Sequence, residues 1–501
     1  MQKTFESSMN RLSFGVNTTV LNVRKIFWLL VLFEAVTLGV VWYIDFAYNI
    51  NFLYYYIGVL LVPFLLLIVP IEPTIGILIL VITTGLDILG IISKATTAES
   101  EYRLTYFHLA LLLVIISTFL NIILKRKTKI PSLDLWPPLV AFTTMYAVSL
   151  IYTPDFFNGT FQFVRYLALS FICLIVIICI DSRWKLTAVV WFMLITPAAI
   201  SILTMYQFYT QGAIFAPIVI KMATVLGLPV YRSTGTFSSP NKLACFLMIG
   251  VIIPFGLLFM KKLLPAIKIA LVFFLVVSSV ALAATFSRGG WVSTFFGLAV
   301  IVYFHRKWSY FYYFITVMVL IILGISVFIP EVWELVFDRF GSIFNPLEDA
   351  SSSARVSLMR TGIWMWQDHP ILGVGLRGFP ALYYQYIDPE MPHVLADVKE
   401  AHTMQTEILS EQGLVGFTIA VWLFFTIIIH GYRSIKSLNN TYLRNIQITF
   451  LGLFLGFIAN FTFSSDINNN SFWVTLGMLY AVPLIDKYTA SENNNVLAEA
   501  S

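Results

Sequence analysis

Three cationic side chains lie where polar sequence meets long apolar segments. Arg232 belongs to Tyr-Arg-Ser-Thr-Gly-Thr-Phe-Ser-Ser-Pro-Asn, Arg288 to Thr-Phe-Ser-Arg-Gly-Gly-Trp, and His402 to Ala-His-Thr-Met-Gln-Thr-Glu. Ionisable groups at an apolar boundary are costly, which makes them candidates for function. A guanidinium binds phosphate oxygens in bidentate fashion, and a neutral imidazole is a suitable base near neutral pH. The three residues predict a site that holds a lipid-linked diphosphate and removes a proton.

Each arginine also has a less specific interpretation, in which it reaches the phosphates of the surrounding lipid. The segment 235–241, which ends at Asn241, favours a binding role, because a donor-rich turn leading into a helix N-terminus is a ready anion site. Beside Arg288, Gly289 and Gly290 let the backbone approach a ligand or another helix. No acidic pair of the DxD type lies near either arginine, so neither a divalent metal nor another cofactor is expected.

The histidine has competing interpretations as well. A lone histidine in a loop is more often structural than catalytic, but the helix-like run 403–411 ties His402 to the start of an apolar segment. His369 and His393 occur on the same side of the membrane in the topology given below. A metal site of three histidines is conceivable, but their spacings match no usual ligand pattern, and we rank it below a role of His402 as base.

A glycine motif at Gly373-Val-Gly375-Leu-Arg-Gly378 matches GxGxxG literally. A dinucleotide site of that kind needs a preceding strand and a βαβ unit. Here the motif follows His369-Pro370 in a loop between apolar segments, and we interpret it as a glycine-rich turn.

The composition requires lipid as the solvent of this protein. Hydrophobic residues make up 59% of the 501-residue chain and charged residues only 11%, whereas soluble domains contain about 45–50% and about 25%. The net charge of +5 is informative only through its distribution. Membrane lipid is the expected surrounding, and no nucleic-acid partner is expected.

The apolar runs predict an all-α, polytopic integral membrane protein with about fourteen transmembrane helices and one large outer loop, since a helix needs roughly 20 apolar residues to cross the bilayer. The runs lie at 26–44, 52–69, 74–92, 105–124, 136–152, 163–180, 186–208, 242–260, 266–284, 291–304, 310–329, 413–430, 445–463 and 471–485. The predicted parts are a cytoplasmic N-terminal segment at 1–25, a transmembrane bundle at 26–329, an extracytoplasmic loop at 330–412, C-terminal transmembrane helices at 413–485 and a cytoplasmic tail at 486–501, disordered from Ser491.

Basic residues fix the orientation. They fall in every second loop, at 125–129, 183–185, 261–262, 306–307 and 433–444, and cytoplasmic loops are the ones enriched in Lys and Arg. Both termini are therefore predicted to be cytoplasmic. The segment 330–412 contains five basic and twelve acidic residues, a net charge of −7, which agrees with an outer position.

Four short motifs in this order resemble the O-antigen ligase and O-antigen polymerase superfamily. They are an arginine before a Thr-Gly-Thr-Phe…Asn turn at 232–241, Ser-Arg-Gly at 287–289, an arginine leading to His-Pro-Ile-Leu-Gly-Val-Gly at 355–375, and a histidine leading to Glu-x-Gly-x-x-Gly at 402–416. The last motif includes Glu411. Two positions depart from the family pattern: Thr403 stands in place of the usual asparagine, and Thr406 in place of a leucine.

The resemblance implies a metal-independent glycosyltransferase of the bacterial cytoplasmic (inner) membrane. Its donor is an undecaprenyl-diphosphate-linked glycan, and its acceptor is a sugar hydroxyl of a glycan or lipid-linked glycan. On this reading Arg232 and Arg288 bind the diphosphate and His402 is the base. Arg355 assists at the phosphates or shapes the loop, and Asn241 and Glu411 complete the candidate substrate-binding set, with Glu411 more suited to orienting the loop than to acid chemistry.

Three other functions are compatible with the sequence. A flippase or transporter of lipid-linked oligosaccharides has a similar number of spans, but it should show repeat symmetry and charges at mid-membrane. A protein oligosaccharyltransferase uses the same donor and a different acceptor. A scaffolding subunit has no need of the arginines. The polar residues gather on one face of the membrane, which favours the transferase.

The orientation can be tested by labelling with an impermeant maleimide. A cysteine introduced by Ser351→Cys should react in intact cells, because the segment 330–412 is predicted to face outward. Labelling only after lysis contradicts the orientation. A cysteine at Lys261 should show the opposite behaviour and is the matched control.

Overall fold

The computed structural model describes residues 73–87, 91–96, 101–125, 131–210, 221–225, 228–328, 350–388 and 400–500. The spans predicted at 26–44 and 52–69, and His393, lie outside the described residues. In chain order the first elements are α1 (Pro73–Thr84), β1 (Ile91–Thr96), β2 (Glu101–Thr105), α2 (Tyr106–Lys125), α3 (Trp136–Ser149), α4 (Phe156–Cys179), α5 (Arg183–Thr210), β3 (Lys221–Val225) and β4 (Leu228–Arg232). They are followed by α6 (Pro240–Leu257), α7 (Pro265–Ala284), α8 (Arg288–His305), α9 (Trp308–Phe328), α10 (Ala350–Asp368), α11 (Gly378–Leu382), a 3-10 turn (Tyr383–Gln385), α12 (Met404–Ser437), α13 (Thr441–Phe461) and α14 (Asn470–Ala500).

Helix α6 is the centre of the bundle. It packs against α5, α7, α8 and α13, and nearly all of its side chains are buried. A helix that is apolar on every face is expected to be enclosed by other helices. The close approach of α8 to α6 depends on small residues. A Cβ added to Gly290 of α8 would lie 2.6 Å from the Ala244 Cβ of α6, and one added to Gly297 would lie 2.5 Å from Ile252 Cδ1. Both distances are too short for a larger residue.

The predicted helical membrane fold is confirmed, whereas the count of about fourteen spans is not. Within the described residues six helices are long and apolar enough to cross a bilayer, namely α4, α5, α6, α7, α12 and α13. The span predicted at 74–92 is wrong in its length, because its helix ends at Thr84 and a turn follows. The run at 136–152 forms a helix of 14 residues. The disorder predicted from Ser491 is also wrong, since α14 continues to Ala500.

Two short antiparallel hairpins interrupt the helical pattern and were not predicted. β1 pairs with β2, and β3 pairs with β4. Their strands have only five or six residues. Segments this short, with polar residues at their ends, give no clear strand pattern in a sequence dominated by long apolar runs. The second hairpin ends at Arg232 and so delivers that residue to the start of α6.

Helix α12 is broken at Gly413, whose φ is +62° and ψ −161°. The loop after α10 fills the break with backbone hydrogen bonds. Val374 and Gly375 N–H donate to the carbonyls of Ser410 and Glu411, each at 2.8 Å. In return, Leu414 and Val415 N–H donate to the carbonyls of Pro370 and Ile371, at 2.9 and 3.2 Å. We call this four-bond joint between 370–375 and 410–415 the clasp. Buried backbone groups must be paired, and the clasp pairs those that the broken helix leaves open.

Glycines are required where the two chains of the clasp meet. Gly373 has a φ of +71°, and a Cβ there would run into the backbone of Glu411 and Gln412. Gly413 meets the backbone of Ile371 and Leu372 in the same way. The literal GxGxxG is therefore a turn, as predicted, and its first glycine serves close backbone contact rather than a dinucleotide.

Replacing Gly373 by alanine should destabilise the protein. A non-glycine residue in the left-handed region costs about 1–3 kcal/mol, and here the added Cβ also displaces the backbone of Glu411. We expect a lower melting temperature in detergent, followed by intrinsic fluorescence. Leu372→Ala is the control, because that side chain is 44% exposed. Equal melting temperatures for the two variants would contradict the clasp.

Candidate diphosphate site at the ends of two helices

A polar pocket lies at the end of the bundle where α6 and α8 begin, which we call the site end. Three of its lining residues are the arginines singled out from the sequence, Arg232, Arg288 and Arg355, and a fourth is Asn241. The remaining lining residues are Phe286, Ser287, Gly289, Asn460, Phe463 and Ser464. Residues more than 200 positions apart are thus brought together, and the pocket concentrates positive charge.

Asn241 organises one wall of this pocket. Its Oδ1 accepts a hydrogen bond from the Arg232 guanidinium at 3.2 Å and another from the Ser287 hydroxyl at 3.0 Å. Arg232 Nε also donates to the carbonyl of Thr285 at 3.0 Å. These two acceptors orient the Arg232 guanidinium at the wall of the pocket. A guanidinium oriented in this way can offer paired hydrogen bonds to an anion.

Two helix N-termini point at the same place. Ser239 caps α6 by accepting from Lys242 N–H at 3.2 Å, and Ser287 caps α8 by accepting from Gly290 N–H at 3.4 Å. Asn241 and Arg288, in the first turns of these helices, line the pocket. The positive ends of two helix dipoles therefore add to the three arginines. An anion with more than one charge is the ligand that this field favours.

The turn at 235–241, which the sequence predicts as an anion site, is bonded in part within the fold, and its role in anion binding stays a prediction. Its donors are already used inside the fold: Gln207 Oε1 accepts from Thr234 and Gly235 N–H at 3.1 and 2.8 Å, and Asp87 accepts from Ser238 N–H at 3.1 Å. Within the turn, Asn241 is the residue that reaches the pocket. The arginines and the helix ends contribute positive charge to the pocket, and Asn241 is the part of the turn that lines it.

Arg355 reaches the pocket from a distant part of the chain. It lies in the second turn of α10, half-buried, and α10 packs along α12. The contact is close because a Cβ on Gly362 would collide with the Thr406 side chain. The clasp holds the far end of α10 and the Gly362 contact holds its middle, so Arg355 is presented to the pocket by a fixed helix.

His402 stands immediately before α12 and is exposed. Its φ of +58° is unusual for a residue other than glycine, and such strain is typically found where the surroundings determine it. Thr403 begins the helix: its Oγ1 contacts Thr406 Oγ1 at 2.8 Å and accepts from Thr406 N–H at 3.4 Å. Thr403 and Thr406, the two positions that depart from the family pattern, thus form the helix cap. Asparagine, the usual family residue at position 403, is also a good N-cap residue.

His402 does not itself line the arginine pocket, but a short chain of contacts connects the two. Glu400, two residues earlier, accepts a hydrogen bond from the Ser465 hydroxyl at 2.8 Å, and the neighbouring Ser464 lines the pocket. Burial alone raises the pKa of the Glu400 carboxyl, but Lys242, the Ser465 hydroxyl and His402 together bring the pKa below its ordinary value. The surroundings of Glu400, two residues before His402, therefore favour its ionised form.

Lys242 lies at the centre of a second group of charged residues, which also includes Glu400, Asp466 and Asp87. It interacts electrostatically with Asp466, Glu400 and Asp87, which come from three separate connections between elements. Burial raises the pKa of Asp466, with Lys242 opposing that rise. Asn241 and Lys242 are consecutive in α6, so the first turn of this helix separates the arginine pocket from the group around Glu400 and His402.

Glu411 lies in the clasp rather than among the residues that line the pocket. Its carboxylate accepts hydrogen bonds from the backbone N–H groups of Arg377 and Phe379, and the Arg377 side chain attracts it. Both donors lie at the start of α11. This position suits the loop-orienting role that the sequence suggested and gives no direct contact with the pocket.

The remaining described candidate from the sequence is His369. His369 is exposed at the end of α10, where its carbonyl accepts from Gly373 N–H at 3.0 Å. Within the described residues, no group of three or more His, Cys, Asp or Glu side chains is arranged to hold a metal ion.

Sequence reasoning missed four residues of this region: Lys242, Glu400, Asn460 and Asp466. Asn460 lines the pocket from the end of α13 and donates to Ser293 Oγ at 3.4 Å. A usable signal was the polar stretch 464–470 between the last two apolar runs, and Lys242 directly after Asn241. Their importance depends on which loops meet, which a single sequence does not reveal.

Residues 273–421 match the family model described as O-antigen ligase. This stretch contains α8, α10, the clasp, Glu400 and His402, and it covers less than a third of the chain. The match confirms the resemblance to the O-antigen ligase and polymerase superfamily. No curated protein matches the chain.

Replacing Arg288 by lysine should weaken anion binding. Lysine keeps the charge but loses the planar fork, and a charged hydrogen bond contributes about 1.5–3 kcal/mol, so we expect roughly a tenfold or larger rise in the Kd for pyrophosphate. Isothermal titration calorimetry on the detergent-solubilised protein measures it. Arg306→Lys, an exposed arginine at the opposite end of α8, is the control. Unchanged affinity in Arg288→Lys would rule out a bidentate contact.

Proposed function

We propose, on the premise of an O-antigen ligase domain at residues 273–421, that this chain transfers a glycan from an undecaprenyl-diphosphate carrier to a sugar hydroxyl. The acceptor belongs to a glycan or a lipid-linked glycan. The reaction takes place on the outer face of the bacterial cytoplasmic membrane, with both termini in the cytoplasm, and it needs no metal ion.

The observation that carries this proposal is the pocket at the site end. Arg232, Arg288 and Arg355 come from three separate parts of the fold and meet the N-termini of α6 and α8 there. A diphosphate bound in this pocket is matched by guanidinium forks and helix dipoles instead of a divalent cation. The lipid chain of the donor then runs along the apolar helices into the bilayer.

The reaction proceeds as a single displacement at the anomeric carbon. The acceptor oxygen attacks as its proton passes to the His402 imidazole. The bond from the anomeric carbon to the phosphate oxygen breaks, and its electron pair stays on the diphosphate. Arg288 and Arg232 stabilise the charge that grows on that leaving group. Attack from the opposite face inverts the anomeric centre.

The parts of the site correspond to these steps. The arginine pocket is polar and partly enclosed, as a charged headgroup requires, whereas His402 is exposed and open to an acceptor. In this proposal the base acts from beside the leaving group rather than from within its binding pocket, and Glu400 and the loop 462–469 join the two regions. Glu411 and the clasp hold α10 against α12, and so they keep Arg355 at a fixed position relative to His402.

The direct test is transfer by purified protein in detergent or nanodiscs. A defined undecaprenyl-diphosphate oligosaccharide is the donor, a panel of sugar and lipid-linked acceptors is offered, and no metal is added. Product should form equally with and without EDTA. Loss with EDTA that a divalent ion restores would establish a metal-dependent transferase. Donor binding without transfer to any acceptor, combined with movement of donor across liposomes, would establish a flippase.

His402→Ala should lower the transfer rate by roughly 10²–10⁴-fold, the contribution of a general base. The Kd for pyrophosphate should stay near that of the parent, because His402 does not line the arginine pocket. In the parent protein the rate should rise with pH as the imidazole loses its proton. His369→Ala is the control and should retain most activity, since His369 is exposed at the far end of α10. The reverse pattern for the two variants would show that the base is misassigned.

A further inference from the structure

We infer that Asn460, Phe463 and Ser464 form the subsite for the sugar unit attached directly to the diphosphate, and that they determine which donor sugar is accepted. We call these three residues the neutral wall of the pocket. The inference deepens the proposed function and rests on it. The neutral wall lies outside the matched residues 273–421 and outside the four motifs of the sequence, so its role follows from the fold.

The pocket joins two surfaces of different chemistry, and the first turn of α8 touches both. The first surface is the charged wall, formed by the three arginines and Asn241. Ser287 contacts the charged wall, since its hydroxyl donates to Asn241 Oδ1 at 3.0 Å. Gly289 contacts the neutral wall, because an added Cβ would lie 2.8 Å from Phe463 Cβ. An anion bound at the arginines therefore has an uncharged surface beside it.

Asn460 presents hydrogen-bonding groups to this pocket, although its side chain is only 4% exposed. Its Nδ2 lies 3.4 Å from Ser293 Oγ, and the Ser293 hydroxyl donates its own hydrogen to the Gly289 carbonyl. Since that hydroxyl has one hydrogen, it accepts from the amide, which fixes the orientation of the amide group. The Oδ1 atom and the second N–H of Asn460 remain for a ligand. One acceptor and one donor suit sugar hydroxyls, which both donate and accept.

The other two members of the neutral wall add an aromatic ring and a hydroxyl. Phe463 is half-buried, with part of its side chain seated against Gly289. Ser464 Oγ accepts from Asp466 N–H at 3.2 Å, which leaves its hydroxyl hydrogen as a donor. An aromatic side chain beside a few fixed polar groups is the usual lining of a site for a small organic ligand. The neutral wall has this composition and carries no charge, as suits a sugar.

The neutral wall is held by the backbone around it. Phe463 N–H donates to the Asn460 carbonyl at 2.9 Å, so the end of α13 continues directly into the wall. Beyond it, Ile467 N–H donates to Ser465 at 2.9 Å through the Ser465 carbonyl, and the Trp473 indole donates to the Ile467 carbonyl at 3.0 Å. A preformed surface loses little conformational entropy on binding. The wall is therefore able to discriminate between sugars by direct contact.

The neutral wall also lies on the side of the pocket that leads to His402. Ser465, the next residue after the wall, donates to Glu400 Oε2 at 2.8 Å, and Glu400 is two residues before His402. In the proposed reaction the donor sugar lies between its diphosphate and the acceptor, because the bond that breaks joins the anomeric carbon to a diphosphate oxygen. A sugar held against the neutral wall meets this condition, with the arginines at its diphosphate and the base toward the acceptor.

Binding of matched probes separates the two walls. Farnesyl diphosphate tests the charged wall alone, and farnesyl diphosphate carrying a single glucose, galactose or N-acetylglucosamine tests both. Isothermal titration calorimetry on the purified full-length protein should show tighter binding of at least one sugar-bearing probe. Asn460→Ala and Ser464→Ala should each weaken binding of that probe by roughly three- to tenfold, the contribution of one hydrogen bond, and leave the Kd for farnesyl diphosphate unchanged. Arg288→Lys should weaken binding of both probes.

Ser293→Ala is the matched control for Asn460→Ala, since Ser293 contacts Asn460 but does not line the pocket. It should leave both Kd values near those of the parent, whereas equal effects of the two variants would mean that Asn460 is only structural. Phe463→Tyr should keep the preference for the sugar-bearing probe. Phe463→Leu, which keeps the contact with Gly289 but loses the ring, should reduce that preference.

Donor choice in transfer is the second readout. With one preferred and one disfavoured donor sugar, Asn460→Ala should lower the ratio of the two kcat/KM values, while product inhibition by undecaprenyl diphosphate stays unchanged. Equal loss of affinity for both probes in the wall variants, or no gain from any of the sugars, overturns the inference. A sugar preference that depends on Asn460 in a protein without transfer leaves the subsite standing and removes the proposed function. If farnesyl diphosphate itself does not bind, the anion site fails and the inference fails with it.

Discussion

The broken helix α12 is the constraint on which the rest of the site depends. A helix interrupted near a membrane boundary leaves backbone donors and acceptors that must find partners. The clasp provides them with the loop that follows α10, and so it joins α10 to α12. Through that one joint, Arg355 on α10 and His402 before α12 are fixed relative to Arg232 and Arg288. A site assembled from separate segments requires such a joint, because a displacement of an ångström is costly in catalysis.

The charge distribution at the site end follows from the position of α6. Its first turn separates two groups of polar residues: the arginine pocket on the side of Asn241, and the mixed-charge group on the side of Lys242. The first group contains three arginines and two helix N-termini, a combination that favours a multivalent anion. In the second group carboxylates balance Lys242, and the histidine is exposed beside them. In the proposed reaction, the leaving group is bound and the acceptor is activated in different electrostatic surroundings, and the first turn of α6 lies between them.

The contacts of Glu411 and of the turn 233–238 show how structural and functional roles are divided in this chain. Both look like ligand-binding segments by residue type. In the fold, Glu411 holds the start of α11, and the turn N–H groups are satisfied by Gln207 and Asp87. Buried polar groups need partners whether or not a ligand is present. Residues that support a site can therefore have the same composition as those that form it.

The sequence by itself determined the solvent, the helical class and the identity of the cationic residues. These follow from local properties. A long apolar run must be helical in lipid, and a guanidinium at the boundary of such a run is costly, which marks it as a candidate for function. Arg232 and Arg288 were recognised for that reason, Arg355 was recognised from its place in the family motif, and all three line one pocket. Only the tertiary structure showed where the helices end within the apolar runs; α1, for example, stops at Thr84. It also showed which loops contact each other. Glu400, Lys242 and Asp466 gain their significance from connections between distant segments, and the clasp pairs two motifs whose contact neither motif specifies. Pairing of buried backbone and charge is a property of the assembled chain, so it became visible only in the fold.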